Sequence, residues 1–406
     1  MKKLRVIAKL TFDNIINYLV VINPGRSFQL VQNLFKEGFP TWRDDNHVKN
    51  IMSDLKKLRK KIDDIDLRIL ELLNKRAEIA IEIGRAKQDR KLNIYSPERE
   101  KEILRRLTEI NPGPFPNNVL KLIYEEILSA SLSLQQPLKV AYLGPSATFT
   151  HLAASRNFGS SAEYISESTI KEVFEAVTRG KAQYGVVPIE NSTEGVVNST
   201  LDMFIDSDLK IAFEIMLEIR HNLLSKTGKR EDISKIYSHP QARAQCREWL
   251  ENNFPGMPVI EEMSTAAAAK RVSKDPAAAA VASELAASVY NLQFIEKGIE
   301  DYKNNFTRFL VIAKESPPRT GKDKTSVMLT IKDKPGALFL ILGPFAKHKL
   351  NLTKIESRPS KRKAWEYIFF VDMEGHIEDK GVKKAIADVK KECLFLKVLG
   401  SYPSAE

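Results

Sequence analysis

A chain of 406 residues, 43% of them hydrophobic and 28% charged, is long enough for several soluble domains, and no apolar run in it approaches the length of a membrane span. Its two cysteines, Cys246 and Cys393, lie far apart and outside any CxxC or Cys/His cluster, which argues against a disulfide framework or a structural zinc site and fits a reducing, cytoplasmic setting. The formal charge of +11 is spread along the chain rather than gathered into one block, so it reads as a lysine-rich solvated surface and not as a nucleic-acid footprint.

Residues 1–51 show no sustained period. A basic start and an apolar stretch are interrupted by Asp13, Asn14 and Asn17 before a signal-peptide core can form, so the segment is expected to be a disordered extension or translation from upstream of the true start. At Met52 the pattern changes, with Ser53 or Asp54 placed to cap a helix. Leu55, Leu58, Ile62, Ile65, Ile69, Leu72, Arg76, Ile79, Ile83 and Ala86 recur every three or four positions, a heptad seam that should pair with another helix. Ser96-Pro97-Glu98 opens a second helix. A third runs from about Asn118 to Gln136 and stops at Pro137, so 52–137 reads as an all-α domain.

Short strands alternating with helices occupy 138–314, as in Lys139–Leu143, Tyr184–Ile189 and Arg308–Ile312, with Ala-rich helical stretches expected after Thr265 and Pro276. Ser, Thr and Asn stand where these strands meet loops, the place where such sheets bind ligands. Residues 315–324 read as a linker. The strand–helix–strand–strand–helix–strand order of 325–406 is the βαββαβ, ferredoxin-like pattern.

On the first helix, Arg76 sits in the apolar seam, where a guanidinium is tolerable only if an anion meets it. Taken alone it would more simply snorkel or set helix register, but Arg59 and Lys87 border the same stripe, 28 residues apart. At 1.5 Å per residue, Arg59 lies about 42 Å from Lys87 and about 25 Å from Arg76 on a straight helix. If the three share a site, Arg59 must come from an antiparallel second copy, which predicts a homodimer or higher homo-oligomer with composite sites.

The stretches Leu58–Asp63, Asn74–Glu78, Ile83–Lys87, Pro97–Glu100 and Ser131–Gln135 resemble the all-helical chorismate mutase domain. The resemblance implies that Arg59 and Arg76 hold the carboxylates of chorismate, that Lys87 and Gln135 face the ether oxygen, that Glu100 and Ser96 meet the ring hydroxyl, and that Arg99 and Ser131 support them. Such a Claisen rearrangement needs neither acid nor nucleophile, only a folded substrate and donors where negative charge grows.

Gly144–Thr150, Pro188–Gly195, Ser238–Cys246 and Asn304–Phe309 together resemble the prephenate dehydratase domain, although Ala147 stands where that family carries glycine. Each stretch alone reads as a helix cap or turn. The resemblance implies a two-lobed α/β fold like that of periplasmic binding proteins, with Thr307 as the catalytic hydroxyl and Glu190, Asn191, Ser192, Ser238, Gln245 and Cys246 around prephenate. His239, beside a helix-opening Pro240, is expected to be structural. Asp333–Phe339 and Ile355–Pro359 resemble the ACT regulatory domain, which implies phenylalanine bound at a dimer interface by Gly336, Ala337, Leu338, Glu356, Ser357 and Arg358.

The resulting expectation is a bifunctional chorismate mutase/prephenate dehydratase of phenylalanine biosynthesis, inhibited by phenylalanine, with no metal or organic cofactor and no membrane or nucleic-acid partner. Two rivals remain: a monofunctional dehydratase whose helical domain only dimerises, and a non-enzymatic binding protein on the two-lobed fold. Intact Arg59, Arg76, Lys87 and Gln135 speak against the first, and Thr307 against the second.

Overall fold

The computed structural model describes residues 45–89, 97–331, 334–359 and 367–405. Helix α1 (Asp45–Asp89) is already helical before Met52: no glycine or proline interrupts Asp45–Met52, so the helix runs through Ser53 and Asp54 instead of being capped there. The chain divides into two compact units between Asn74 and Lys75, inside this helix. Among the described residues, the first unit is the amino-terminal part of α1. Its seam is bare: Leu58, Ile62, Ile65, Ile69 and Leu72 are all half or more exposed.

In the second unit, α1 leads to α2 (Pro97–Ile110) and α3 (Asn117–Gln135). The last turns of α3 are anchored on the α/β domain. Leu132 shares a core with Leu138, Val140 and Leu152, and the Ser129 hydroxyl accepts from the Ser161 N–H at 3.2 Å.

The first α/β lobe contains β1 (Lys139–Leu143), α4 (Phe149–Phe158), β2 (Glu163–Glu167), α5 (Ile170–Thr178), β3 (Tyr184–Asn191), β4 (Gly195–Val196), α6 (Asn198–Asp206) and β5 (Lys210–Glu218). The chain then crosses at Ile219–His221 into a second lobe of β6 (Asn222–Ser225), β7 (Lys235–Ser238), α7 (Pro240–Gln245), α8 (Arg247–Asn253), β8 (Val259–Glu261), α9 (Thr265–Val272), β9 (Ala278–Ala282), α10 (Glu284–Tyr290) and β10 (Gln293–Lys297). It returns through 298–305 to β11 (Phe306–Ala313). The first sheet runs β2-β1-β3-β11-β5, with β11 antiparallel to both neighbours, and the second runs β10-β6-β9-β7-β8.

The alanine run after Pro276 corrects an expectation. Ala278–Ala282 is a strand between β6 and β7 with every residue buried, and only Glu284–Tyr290 beyond it is helical. Helix propensity is a weak prior, and here the central place in the sheet overrides it.

The last domain has the expected βαββαβ order: β12 (Asp323–Ile331), α11 (Ala337–Lys347), β13 (Leu352–Pro359), β14 (Tyr367–Glu374), α12 (Lys380–Glu392) and β15 (Cys393–Pro403), in an antiparallel sheet ordered β13-β14-β12-β15. One face packs under its helices through Val327, Leu329, Val371 and Met373. The other face contributes Met328, Ile368, Phe370, Leu399 and Tyr402 to a core shared with Ile211, Leu310 and Ile312 of the first lobe. The contact is close at Gly400, where an added Cβ would lie 2.4 Å from the Ile211 carbonyl oxygen. Gly400→Ala should therefore wedge β15 off β5 and destabilise the chain by about 1–3 kcal/mol, read as a lowered Tm; an unchanged Tm would mean that the sheets separate freely.

Candidate active sites

Strand register assembles the polar centre of the two-lobed domain. Thr307, near the start of β11, pairs with Asn191 at the end of β3. The Asn191 Nδ2 donates to Thr307 Oγ1 at 2.7 Å and to Asn305 Oδ1 at 2.9 Å. Its Oδ1 accepts from the backbone N–H groups of Thr193 at 3.0 Å and Glu194 at 3.1 Å. Asn305 Nδ2 in turn donates to Gln245 Oε1 at 3.1 Å, and Gln245 Nε2 to Thr193 Oγ1 at 3.3 Å, which links α7 of the second lobe to the first. The Ser192 hydroxyl accepts from the Phe306 N–H at 3.0 Å. Because Thr307 Oγ1 already accepts from Asn191, its own proton is free to point at a substrate, and that donated bond makes the hydroxyl a stronger donor.

Four residues of the expected set, Asn191, Ser192, Gln245 and Thr307, thus come together. Others fall elsewhere. Glu190 precedes Asn191 in the strand and so faces the opposite side, where Lys354 of β13 meets its carboxylate at 2.6 Å. Cys246 is fully buried among Leu223, Ile236 and Leu250, and burial pushes its thiol up so that it stays protonated; it packs the second lobe rather than facing the cleft. Ser238 is also fully buried, its hydroxyl donating to the His239 carbonyl at 3.1 Å. His239 caps α7, its Nδ1 accepting from the Gln241 N–H at 3.3 Å, the structural role expected of it. Ala147 holds φ 70° in the left-handed region that glycine favours, its carbonyl accepting from Ser283 Oγ at 3.0 Å.

Residue-type reasoning passed over Asn305, although its spacing of two from Thr307 was a usable signal for a shared face. It also passed over Arg308, whose side chain leaves the opposite face of β11. This guanidinium is buried and meets Glu214 at 2.7 Å, Asp372 at 2.7 Å and the Tyr402 hydroxyl at 3.0 Å. Lys324 completes the cluster at 2.8 Å from Glu214. Only such pairing sustains buried charge, and no local pattern joins positions this far apart in sequence.

On the helical elements of the second unit, Arg76 donates to the Ser131 hydroxyl, which itself donates to the Ile127 carbonyl at 2.7 Å. One face of α1 touches α3 at Gly84, where a Cβ would lie 2.8 Å from Gln135 Cβ, so glycine is what lets Gln135 approach the helix. Lys87 comes next on that face, and burial holds its ammonium below the ordinary lysine value. Arg99 is exposed and paired with Glu102 at 2.6 Å, and Glu100 is half-buried. Arg59 belongs to the first unit and is exposed, while Ser96 lies outside the described residues.

In the C-terminal domain, Gly336 adopts φ 77° as the amino cap of α11, with Ala337 buried and Leu338 partly exposed behind it. Glu356 and Ser357 stand on the edge strand β13. Arg358 turns instead toward the first lobe, 3.1 Å from Asp202 of α6. Asp333 lies outside the described residues.

Family models match in the same order: chorismate mutase type II over residues 58–136, prephenate dehydratase over 140–317 and the ACT domain over 325–391. The bifunctional chorismate mutase/prephenate dehydratase of Aquifex aeolicus is 54% identical over 358 residues, covering 87% of this chain and 99% of that protein. This chain belongs to the bifunctional chorismate mutase/prephenate dehydratase family. The Pseudomonas aeruginosa member is 44% identical over 357 residues, covering 86% of this chain and 98% of its own. Among solved structures, a prephenate dehydratase from Arthrobacter aurescens in complex with L-Phe superposes with a TM-score of 0.61 at 35% identity, over 66% of this chain and 90% of that one. The bifunctional enzyme rearranges chorismate to prephenate, then converts prephenate to phenylpyruvate, and carries an ACT regulatory domain. The monofunctional alternative is set aside, since full-length relatives bear both activities in their names. Among the described residues, no helix is long and apolar enough to cross a membrane.

Proposed function

We propose that Thr307 is the hydrogen-bond donor to the departing hydroxyl of prephenate. The supporting observation is the 2.7 Å bond that Thr307 Oγ1 accepts from Asn191. As the ring carboxylate leaves as CO2, the electrons of its C–C bond enter the ring, which becomes aromatic while the hydroxyl departs and takes up a proton as water. Donation from Thr307 stabilises the negative charge growing on that oxygen. Asn191, its donors and acceptors already engaged, orients Thr307, while Ser192 and Gln245 hold the substrate around it. For the mutase, Arg76 and a partner subunit's Arg59 bind the two carboxylates of chorismate, and Lys87 and Gln135 stabilise the breaking ether bond, with Arg99, Glu100 and Ser131 in support. Both reactions take place in the cytoplasm, in keeping with two unpaired cysteines. Supplying purified protein with chorismate and following both its loss and the appearance of phenylpyruvate tests the pair; chorismate loss without phenylpyruvate would refute the dehydratase assignment.

Phenylalanine binds Gly336–Leu338 together with Glu356 and Ser357, and β13 carries its effect to the dehydratase. Lys354 and Arg358 flank that motif on the same strand and pair with Glu190 and Asp202 of the first lobe. Glu190 adjoins Asn191, so a shift of β13 bears directly on the Asn191–Thr307 pair. The ligand inhibits by binding one arrangement of β13 better than the other. Lys354→Met should therefore raise the phenylalanine concentration for half-inhibition about 10-fold, the size of a typical coupling energy, with mutase turnover unaltered. Unaltered inhibition would sever this route.

A further inference from the structure

The chain of side-chain amides behind Thr307 ends on a buried histidine. His221 lies in the first crossing between the lobes, 2% exposed, and its Nε2 is 2.9 Å from Gln245 Oε1. Its backbone is held by the second crossing: the His221 N–H donates to Glu300 at 2.8 Å, and the His221 carbonyl accepts from the Ile299 N–H at 2.9 Å. The Phe149 ring stands edge-on at 5.4 Å. Among the described residues, Nδ1 has no hydrogen-bond partner.

The direction of the whole chain is fixed by donors that cannot reverse. The Thr193 and Glu194 backbone N–H groups can only donate, so Asn191 must present Oδ1 to them and Nδ2 to Asn305 and Thr307. Asn305 must then accept from Asn191 with Oδ1 and donate with Nδ2 to Gln245 Oε1. The same oxygen faces His221, so the imidazole has to donate: its proton sits on Nε2, and Nδ1 is the bare lone pair. Burial also holds the His221 pKa below the ordinary histidine value, keeping the ring neutral.

We infer that His221 is a positioning residue for the dehydratase: its Nε2–H locks Gln245 against Asn305 across the hinge, and through them holds Asn191 on the Thr307 oxygen. The inference rests on the role proposed for Thr307. Without the imidazole, a half-buried amide oxygen loses one of its two donors and Gln245 is free to swing out of line. Removing such a donor is worth about a 10-fold loss, and it should appear in kcat for prephenate more than in KM, because the group it misaligns through Asn305 and Asn191 is the Thr307 hydroxyl that acts on the leaving oxygen.

His221→Phe keeps the ring's bulk and removes the donor, so dehydratase kcat should fall about 10-fold while the mutase rate on the same chain stays at its wild-type value. His221→Gln places an amide Nε2 where the imidazole Nε2 was, and should recover most of the loss. In wild-type protein labelled with 15N-histidine, His221 should appear as the neutral Nε2–H tautomer, a measurement that needs no variant to fold. Wild-type kcat in His221→Phe, equal losses in the Phe and Gln variants at an intact mutase rate, or a ring protonated on Nδ1 would each overturn the inference. A Thr307→Val chain with undiminished turnover refutes the role of Thr307 itself. An inactive Thr307→Val alongside a fully active His221→Phe refutes only the role of His221.

Discussion

Thr307→Val should lower phenylpyruvate formation about 10²–10³-fold, the range for losing a donor aimed at developing charge, while chorismate consumption continues at the wild-type rate. Valine fills nearly the same space, so the substitution deletes the hydroxyl and little else. Thr307 is buried in a strand paired on both sides, at Asn191 of β3 and Leu217 of β5, which leaves the backbone no freedom to bring another group to its place. The Asn191 amide would remain, but it points a donor at the missing oxygen and cannot replace the hydrogen bond that Thr307 donates. The mutase on the same chain serves as the folding control. Near-normal dehydratase turnover would show that the charge on the leaving hydroxyl is stabilised by another group.

Arg59→Ala and Arg76→Ala should each remove nearly all mutase activity, and mixing the two proteins should restore part of it. The rise of an α-helix keeps Arg59 out of reach of a small substrate bound at Arg76 of the same chain. The bare seam of Leu58, Ile62, Ile65, Ile69 and Leu72 is an apolar face of the kind that a second copy would cover. In an equal mixture half of the dimers are mixed, and each mixed dimer has one site of two with both arginines intact. The mixture should therefore reach about a quarter of the wild-type rate in a two-fold dimer. The dehydratase rate should be the same in all three samples. Sedimentation shows whether mixed dimers have formed; if they have and the mutase remains silent, the sites are not shared between subunits.

Deleting the C-terminal domain is a poorer test of regulation than a point substitution such as Lys354→Met. Met328, Ile368, Phe370 and Tyr402 belong to the same core as Leu310 and Ile312, and Arg308 would lose two of its partners, Asp372 and Tyr402. A truncated chain would expose apolar surface and leave Arg308 with Glu214 alone, so loss of activity would not separate catalysis from folding.

Local chemistry in the sequence was enough to determine the helical seam from Leu55 onward, the alternation of strands and helices after Lys139 and the βαββαβ order of the last domain, whereas Asn191, Ser192, Gln245 and Thr307 were named only through the resemblance to a known family. The three patterns depend on periodicity, which is written in neighbouring positions. What only the tertiary structure decided depends on pairing between distant strands. Alternation within β3 turns Glu190 away from Asn191, but only the packing of β13 against the first lobe brings Lys354 to it. Cys246 falls inside the second lobe's core because α7 and α8 pack on β7 and β9 around it. The alanines of β9 are a strand because they lie between β6 and β7. Arg308 with Asp372 and His221 with Gln245 join segments far apart in the chain, and no local period encodes the burial that makes those charge and hydrogen-bond partners obligatory.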